Sequence, residues 1–424
     1  MMNKLDWNVL PSDVAILREM ASRVRRMADD DHNRRLIDLW YAHDEGREHR
    51  PLILTETDGG LNMVAPDWKP RCREPWAQGQ EWGLFSSILH RETIGDDFPL
   101  EPYVGVGWAV DRGTPGVETH LTQPEAGGPR GAYHIDAVLT LPDGLDKLRH
   151  RQFRVDRDKT LAVLDTLRTV YDGILDVKPR HNPWWTLGLT WETISLVGLE
   201  NMMIYMYDQP EALHGLMAFL RDDYIAFVKW MEREGLLTLN NANDYCGSGS
   251  RGYTRSLPQA NLPAGATPRA RDLWTLIESQ ETVGVGPTQY GEFIFPYEAA
   301  IAREFGRVYY GCCEPVHTRW DVLQNMPNLR RVSVSPWSDE EFMAATLGRS
   351  LVYSRKPKPT LVSTERFDEE AIRRDLRTTM TLTRRHGCPT EIVMKDVHTL
   401  SGEPDRLTRW VNVAREVSRD VYGE

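Results

Sequence analysis

The chain has 424 residues, 41% of them hydrophobic and 27% charged, and its 51 Lys and Arg side chains are outnumbered by 62 Asp and Glu side chains. The formal charge of −11 argues against a broad nucleic-acid or anionic-membrane surface. No apolar run approaches the roughly 18 residues of a membrane span, no secretory signal pattern opens the sequence, and the cysteines are few and irregularly spaced. These features predict a cytoplasmic protein without a disulfide framework.

The first third of the chain predicts helices followed by irregular structure. Apolar residues recur at helical spacing from Ser12 to Met27, so residues 1–50 predict an N-terminal helical extension. The segment PLILTE (51–56) predicts the first buried strand. Residues from about 59 to 131 contain many glycines and prolines with little periodicity, and they predict an insertion of long loops.

From residue 158 onwards, short apolar runs alternate with helical patterns, which is typical of βα units and a parallel sheet. About eight strands can be counted from residue 51, and eight parallel strands close a barrel. The sequence therefore predicts an α/β fold, a (β/α)8 TIM barrel, over residues 51–424. The predicted strands of the second half are PWWTLGLT (183–190), GLLTLNNAND (235–244), DLWTLIESQE (272–281), residues 307–312, LRRVSVSP (329–336), SLVYS (350–354) and EIVMKD (391–396).

Candidate site residues lie just past these strands, because TIM barrels carry their chemistry at the carboxyl ends of the strands. Aromatic residues there offer flat apolar walls to a ligand. His134 of the irregular region is a candidate to reach over the mouth, with a surface or structural role as the alternative. The candidate substrate-binding residues are Trp184, Trp185, Tyr245, Gln280, Trp337 and His134. Further polar residues at strand exits are Asp244, Glu278, Glu281, Glu314, Lys395, Asp396 and His398.

The stretch VYYGCCEPVH (308–317) contains two adjacent cysteines. Side chains alternate along a strand, so Cys312 and Glu314 are predicted to face the barrel mouth while Cys313 points outward. With His398 from the last strand they would form a three-ligand zinc site with one open position, Cys313 being the alternative to Cys312. The competing interpretation is a buried Cys313 and a loop Cys312 that has no role, because cysteine is often buried.

The segment GSGSRG (247–252) fits the pattern G-x-G-x-x-G and follows a predicted strand. A proline-rich loop follows it where a dinucleotide-binding motif would begin a helix, so it does not predict a nucleotide site. A flexible lid or a ligand-contacting loop is predicted instead.

Four segments of the chain resemble the uroporphyrinogen decarboxylase superfamily, which includes cobalamin-associated methyltransferases. The resemblance spans roughly residues 158–421 and implies the TIM barrel. The segments are VYYGCCEPVHTRWDVLQNMPNLRRVSVSPWSD, WWTLGLTWETISLVGLENMMIYMYDQPEALHGLM, GPTQYGEFIFPYEAAIAREFG and EIVMKDVHTLSGEPDRLTRWV.

The resemblance departs from the family at two places. The segment KPRCREPW lacks the arginine arrangement with which the decarboxylases hold tetrapyrrole carboxylates, so tetrapyrrole decarboxylation is disfavoured. The His-x-Cys zinc motif of the family's methyltransferases aligns with Tyr310-x-Cys312, which leaves Glu314 to supply the missing ligand.

The resemblance implies a methyltransferase, the demethylase component that moves a methyl group between a small methylated substrate and a corrinoid. The corrinoid (cobalamin) would be carried by a partner protein, with Zn²⁺ assisting as a Lewis acid. Asp244, Glu314 or His398 would protonate the leaving atom. A homodimer is a further expectation, and neither nucleic acid nor membrane is expected as a partner.

Two other functions remain open at this point. A decarboxylase or other lyase of a small acid would bind the carboxylate through Arg355, Lys395 or Arg251, with Asp244 stabilising positive charge. A barrel without catalytic activity would only bind a ligand or a partner.

Overall fold

The computed structural model describes residues 7–47, 50–56, 61–122, 134–180, 184–259, 262–263 and 265–423. Its strands are β1 (Leu52–Thr55), β2 (Tyr103–Val106), β3 (Ala109–Asp111), β4 (His120–Thr122), β5 (His134–Asp136), β6 (Arg154–Asp156), β7 (Asp176–Pro179), β8 (Tyr245–Gly247), β9 (Ser250–Arg251), β10 (Trp274–Ile277), β11 (Arg307–Tyr310), β12 (Leu329–Val334), β13 (Val352–Arg355) and β14 (Thr390–Met394). Its α-helices are α1 (Pro11–Ala28), α2 (Asp31–Asp44), α3 (Leu61–Val64), α4 (Pro75–Leu89), α5 (Arg157–Tyr171), α6 (Thr190–Val197), α7 (Leu199–Asp208), α8 (Pro210–Arg233), α9 (Pro287–Phe293), α10 (Phe295–Ala302), α11 (Trp320–Leu323), α12 (Glu340–Leu347), α13 (Thr360–Ser363), α14 (Glu369–His386) and α15 (Arg406–Tyr422). Within these ranges, no helix combines the length and the apolar character that crossing a membrane requires.

Six strands form one parallel sheet in the order β1, β14, β13, β12, β11, β10. From β10 to β14, strands that follow one another in the chain are neighbours in the sheet, and helices separate them. Every residue of β1, β10, β13 and β14 is buried, as expected for parallel strands covered on both faces. The predicted α/β class and the βα pattern from residue 272 onwards are therefore confirmed.

Closure of this sheet into an eight-stranded barrel is not confirmed. The segments predicted as strands at 183–190 and 235–244 contain no strand in their described residues. Both segments were predicted from apolar runs, and an apolar run shows that a segment is buried without showing that its backbone pairs with a neighbour.

These two segments lie along the edge of β10, and isolated hydrogen bonds connect them to it. The Leu187 amide donates to the Leu276 carbonyl at 2.9 Å. The Asn240 side chain exchanges two hydrogen bonds with the Trp274 backbone, at 2.8 and 3.0 Å. An amide side chain thus takes the place of a strand at this edge.

Carboxylates cover the opposite edge of the sheet, along β1. The Ile53 amide donates to Asp97 Oδ2 at 2.8 Å and the Thr55 amide donates to Asp96 Oδ2 at 2.9 Å. The Asp97 amide donates in turn to the Ile53 carbonyl at 2.7 Å. Charged side chains that occupy the free donors of an edge strand also prevent it from pairing with another chain.

The segment 247–252 is a buried hairpin inside the fold, so the predicted flexible lid is wrong. It includes parts of β8 and β9, and both Ser248 and Ser250 are buried. A Cβ atom on Gly247 would lie 2.4 Å from the Tyr309 ring. The glycine is therefore required because the hairpin backbone lies directly against a side chain of β11.

The predicted loop insertion at about 59–131 is partly helical. It contains α4, which packs on α1 through Ala77, Leu84 and Ile88. Short strands of this region form two-stranded pairs with later ones: β2 with β7, β3 with β6 and β4 with β5. The division into an extension of residues 1–50 and a barrel of residues 51–424 stays a prediction.

Candidate functional site

A cavity of about 360 Å³ lies at the carboxyl ends of the parallel strands. We call it the strand-end cavity. Its residues follow directly on β1, β10, β11 and β14, so the parallel sheet brings together side chains that are far apart in the sequence. It is lined by Glu56, Trp185, Tyr245, Gln280, Cys312, Cys313, Lys395 and Asp396.

A second cavity of about 500 Å³ adjoins the first, and we call it the tryptophan cavity. The two cavities share Trp185, Gln280 and Cys313. The tryptophan cavity is lined by Trp185, Thr186, Trp191, Gln280, Glu281 and Cys313. Trp185 and Trp191 are 50% and 38% exposed, which is high for side chains of this size.

The local backbone decides which cysteine faces the cavities. β11 ends at Tyr310, and Gly311 has a φ of +93°, so the alternation of side chains stops before Cys312. Cys312 is buried, whereas Cys313 is exposed and lines both cavities. The prediction that Cys313 packs outward is therefore wrong, because it extended the strand pattern beyond the strand.

The two thiols belong to a small cluster with charged groups of the last strand exit. The sulfur atoms of Cys312 and Cys313 are 3.6 Å apart, and Cys313 Sγ lies 3.7 Å from Asp396 Oδ2. Lys395 Nζ donates to the Asp396 carboxylate at 2.6 and 2.7 Å and lies 3.9 Å from Cys312 Sγ. A cation of the chain itself therefore stands beside the thiols.

In this arrangement the pKa values of the two thiols shift in opposite directions. The hydrogen bond from the Cys312 thiol lowers the pKa of Cys313; burial opposes this, and the Lys395 ammonium lowers the pKa further. The same hydrogen bond, together with burial, raises the pKa of Cys312. Cys313 is therefore the thiol with the greater thiolate character, and the thiolate is the reactive form.

The donor set for the predicted zinc site is not assembled. Glu314 directs its carboxylate at the backbone, accepting from the Cys312 and Ser279 amides at 2.8 and 3.1 Å. His398 is exposed and lines neither cavity. In the described part of the chain, no group of three or more His, Cys, Asp or Glu side chains could hold a metal ion. Cys312, Glu314 and His398 therefore do not fit a zinc ion.

A second group of carboxyls lies behind the cavities. Glu278 is buried and accepts from the Gln280 amide at 3.0 Å through one oxygen, while its other oxygen has no partner among the described residues. Burial raises the pKa of Glu278 well above its usual value, and the nearby carboxyls of Glu281 and Glu314 raise it further. Burial also raises the pKa of Glu314, against its two backbone hydrogen bonds.

A charged network fills the inner side of the sheet below the cavities. The Arg331 guanidinium donates to Ser250 Oγ at 2.6 Å and lies 3.3 Å from Asp44 and 3.7 Å from Glu391. Burial alone would raise the pKa of Glu391, but the hydrogen bond with His43 and the charge of Arg331 hold it below its usual value. The interior charges are thus paired with one another.

Lys356 belongs to the same interior network. Its Nζ donates to the Tyr309 hydroxyl at 2.9 Å and also to Ser354. Burial lowers the pKa of Lys356 to about 8. Its side chain lines neither cavity, so we assign it to the interior and not to the site.

Some of the predicted site residues line the two cavities, and others lie elsewhere in the fold. Trp185, Tyr245, Gln280, Cys312 and Cys313 line the cavities. Gln280 and the two cysteines follow β10 and β11 as predicted, whereas Trp185 and Tyr245 do not follow a strand of the parallel sheet. The other predicted residues line neither of these cavities: Trp184, Trp337, His134, Asp244, Glu314 and His398.

Each dispersed residue has an environment of its own. Trp184 is 5% exposed and packs edge-on against Phe305. Trp337 is exposed, with the Lys358 ammonium over its ring, and His134 lies on β5 beside a separate cavity.

Asp244 pairs with Arg180. Burial raises the pKa of Asp244, and the guanidinium opposes the shift.

Three lining residues were missed by sequence reasoning: Glu56, Thr186 and Trp191. Glu56 ends the first predicted strand, so the rule that found the other strand exits could have found it. Trp191 lies in the first turn of α6, and no local pattern distinguishes it from a core tryptophan.

Of the three cations proposed for a lyase, only Lys395 lines a cavity. Arg355 is buried and pairs with Glu340 at 2.7 Å. The Arg251 guanidinium lies over the Phe98 ring, 4.5 Å from its centre.

No protein-family model matches the sequence, and no curated protein matches it. Among solved structures, a methyltransferase from Methanosarcina mazei is similar, with a TM-score of 0.48 and 10% sequence identity. That similarity covers 90% of this chain and 98% of the other. At such an identity no residue role is carried over, and the class that the coordinates define is an α/β protein with a thiol-containing cavity at its strand ends.

Proposed function

We propose that the chain is a methyltransferase that removes a methyl group from a small compound bound where the strand-end and tryptophan cavities meet. The observation that carries this proposal is the position of Cys313, which lines both cavities beside the Lys395–Asp396 pair. A methyl carbon is attacked best by a soft, polarisable nucleophile, and a thiolate is one.

The proposed step uses groups of this chain only. The Cys313 thiol gives its proton to the adjacent Asp396 carboxylate, and its sulfur forms a bond to the methyl carbon of the substrate. The bond from that carbon to its leaving atom breaks, and the leaving atom keeps the electron pair. Trp185 supports an apolar methylated group on its ring, and Gln280 offers an amide to orient the remainder of the substrate.

In this proposal the final acceptor is a cobalt corrinoid carried by a partner protein, which supplies a strongly nucleophilic metal centre. The half-exposed Trp185 and Trp191 leave the tryptophan cavity open to such a partner. The proton held by Asp396, which lies 3.7 Å from Cys313 Sγ, returns to that sulfur when the methyl group leaves it. Zinc has no part in the proposed step, because the donor set does not fit the metal.

Transfer of a deuterated methyl group tests the proposal. The purified chain is incubated with deuterated trimethylsulfonium, tetramethylammonium or methoxybenzene, and peptide mass spectrometry locates the label. We expect label on Cys313 with at least one donor, and loss of that label in Cys313→Ser. Cys388→Ser is the matched control, because Cys388 is buried and lines neither cavity.

A second readout is methylation of free cob(I)alamin, followed by its absorbance in the presence of each donor. Chain-dependent methylcobalamin supports the methyltransferase. The proposal fails if no donor labels the protein and none methylates cob(I)alamin.

A further inference from the structure

We propose that the substrate carries a methylated ammonium group, and that Trp185, Trp191 and Glu281 of the tryptophan cavity recognise this cation. The inference deepens the proposed function by naming the class of methyl donor, and it rests on that function for its biological meaning. It concerns binding, so it can be tested apart from methyl transfer.

The charges that line the tryptophan cavity favour a cation. Among its lining residues, Glu281 is the charged side chain, and neither lysine nor arginine is present. In the adjoining strand-end cavity, Lys395 is neutralised by Asp396 through contacts of 2.6 and 2.7 Å, which leaves the Glu56 carboxylate as an additional negative group. A cation entering from solvent therefore meets acceptors and negative charge on both sides.

Two indole rings provide the surface that a methylated ammonium requires. The faces of tryptophan rings attract cations, and quaternary ammonium groups are bound in this way by aromatic side chains. Trp185 and Trp191 line one cavity and keep 50% and 38% of their surfaces exposed. A neighbouring tryptophan, Trp184, is 5% exposed and lies in the core, so exposure at Trp185 is a local feature and not a property of the segment.

Hydrogen bonds hold the recognition groups in place before any ligand binds. The Trp185 indole N–H donates to the Tyr245 hydroxyl at 2.9 Å, which satisfies its polar edge and leaves the ring faces available. The Thr190 hydroxyl donates to one oxygen of Glu281, which lines the cavity, at 2.7 Å. Such preorganisation reduces the entropy lost on binding.

A methylated ammonium also suits the proposed chemistry. When sulfur attacks a methyl group on a quaternary nitrogen, the carbon–nitrogen electron pair stays on nitrogen and the amine leaves neutral. No proton has to reach the leaving atom, whereas an ether oxygen would require one.

Isothermal titration calorimetry with choline and with its neutral carbon analogue, 3,3-dimethylbutan-1-ol, tests the inference. The two probes have the same shape and differ in charge. We expect choline to bind at least about tenfold more tightly, and Trp185→Ala or Trp191→Ala to weaken choline binding roughly 3- to 30-fold. Glu281→Gln should weaken choline binding without changing that of the neutral analogue.

Matched controls are Tyr207→Ala, an exposed aromatic residue on α7, and Glu292→Gln, an exposed carboxylate on α9. Both should bind choline as the unaltered chain does. Equal affinity for the two probes, undetectable choline binding, or choline binding that survives all three cavity substitutions would overturn the inference.

The inference and the proposed function can fail separately. Choline binding that depends on these residues supports the cation site even if no donor methylates Cys313 or cob(I)alamin, in which case the methyltransferase fails. Methyl transfer from methoxybenzene without any choline binding would leave the methyltransferase standing and overturn the cation site.

Discussion

Polar groups at the carboxyl ends of the strands, which we call the mouth, and polar groups in the interior of the sheet have opposite environments. In the interior, Arg331, Asp44 and Glu391 are all buried. The Arg331 guanidinium lies 3.3 Å from Asp44 and 3.7 Å from Glu391. At the mouth, Trp185 and Cys313 are exposed to cavities, and their neighbours leave room for another molecule. Buried charges must be paired to be tolerated, while a binding site must leave groups available.

The comparison shows why the interior hairpin is not part of the site. The segment 247–252 carries a motif-like glycine pattern, yet Ser250 accepts from Arg331 and donates to Glu391, and the first glycine lies on Tyr309. Its glycines and serines allow close packing against the sheet. The residues that line the two cavities come from strand exits, from β8 and from the segment 185–191 that leads into α6.

The largest expected effect is on stability, from Arg331→Met. This change leaves the buried Asp44 and Glu391 without their shared cation, and removing one partner of a buried pair costs about 3–5 kcal/mol. Urea unfolding at neutral pH measures the loss in the free energy of unfolding.

Arg377→Met is the control for that experiment, because it breaks a surface pair with Asp420 at 2.6 Å. Exposed pairs contribute about 0–1 kcal/mol, so the control should remain close to the unaltered chain. Similar losses for the two variants would contradict the contrast between interior and surface.

The adjacent tryptophans sharpen the comparison within one segment. Trp184→Ala removes a core side chain that contacts Phe227 and Phe305, and we expect it to reduce the free energy of unfolding by about 3–5 kcal/mol. Trp185→Ala should change stability by less than about 1 kcal/mol, because its ring is half exposed. Thermal and urea unfolding of both variants measure these changes. Equal losses in the free energy of unfolding would place the Trp185 side chain in the core.

The smallest expected effect concerns the buried Glu298. One of its oxygens accepts from the Tyr290 hydroxyl at 3.2 Å, the other has no partner in the described part of the chain, and burial raises the pKa of this carboxyl well above its usual value. A raised pKa means that the folded chain holds the proton while the unfolded chain loses it above about pH 4.3. Stability from this group is therefore present at low pH and lost as the pH rises.

Glu298→Gln cannot ionise, so its free energy of unfolding should exceed that of the unaltered chain by a margin that grows as the pH rises above about 4.3. Urea unfolding at several pH values measures it, with Glu292→Gln as the exposed control. A margin independent of pH would show that Glu298 is ionised in the folded chain.

Sequence reasoning located the site better than it described the site's chemistry. The rule that parallel strands carry chemistry at their carboxyl ends found Gln280 and the cysteine pair. It placed Cys312 at the strand-end cavity but wrongly turned Cys313 outward, because the direction of Cys313 depends on where β11 ends and on the backbone of Gly311. It also failed for Trp191, whose exposure depends on what packs against α6.

The sequence by itself determined the α/β class, the succession of strands and helices after residue 272, and the strand exits that contribute to the site. These features follow from hydrophobic periodicity and turn residues, which act over a few neighbouring positions. Only the tertiary structure decided that amide and carboxylate side chains cover the sheet edges, that the glycine-rich hairpin is buried and that Cys313 faces the cavities. Those outcomes depend on contacts between residues far apart in the chain, which no local pattern records.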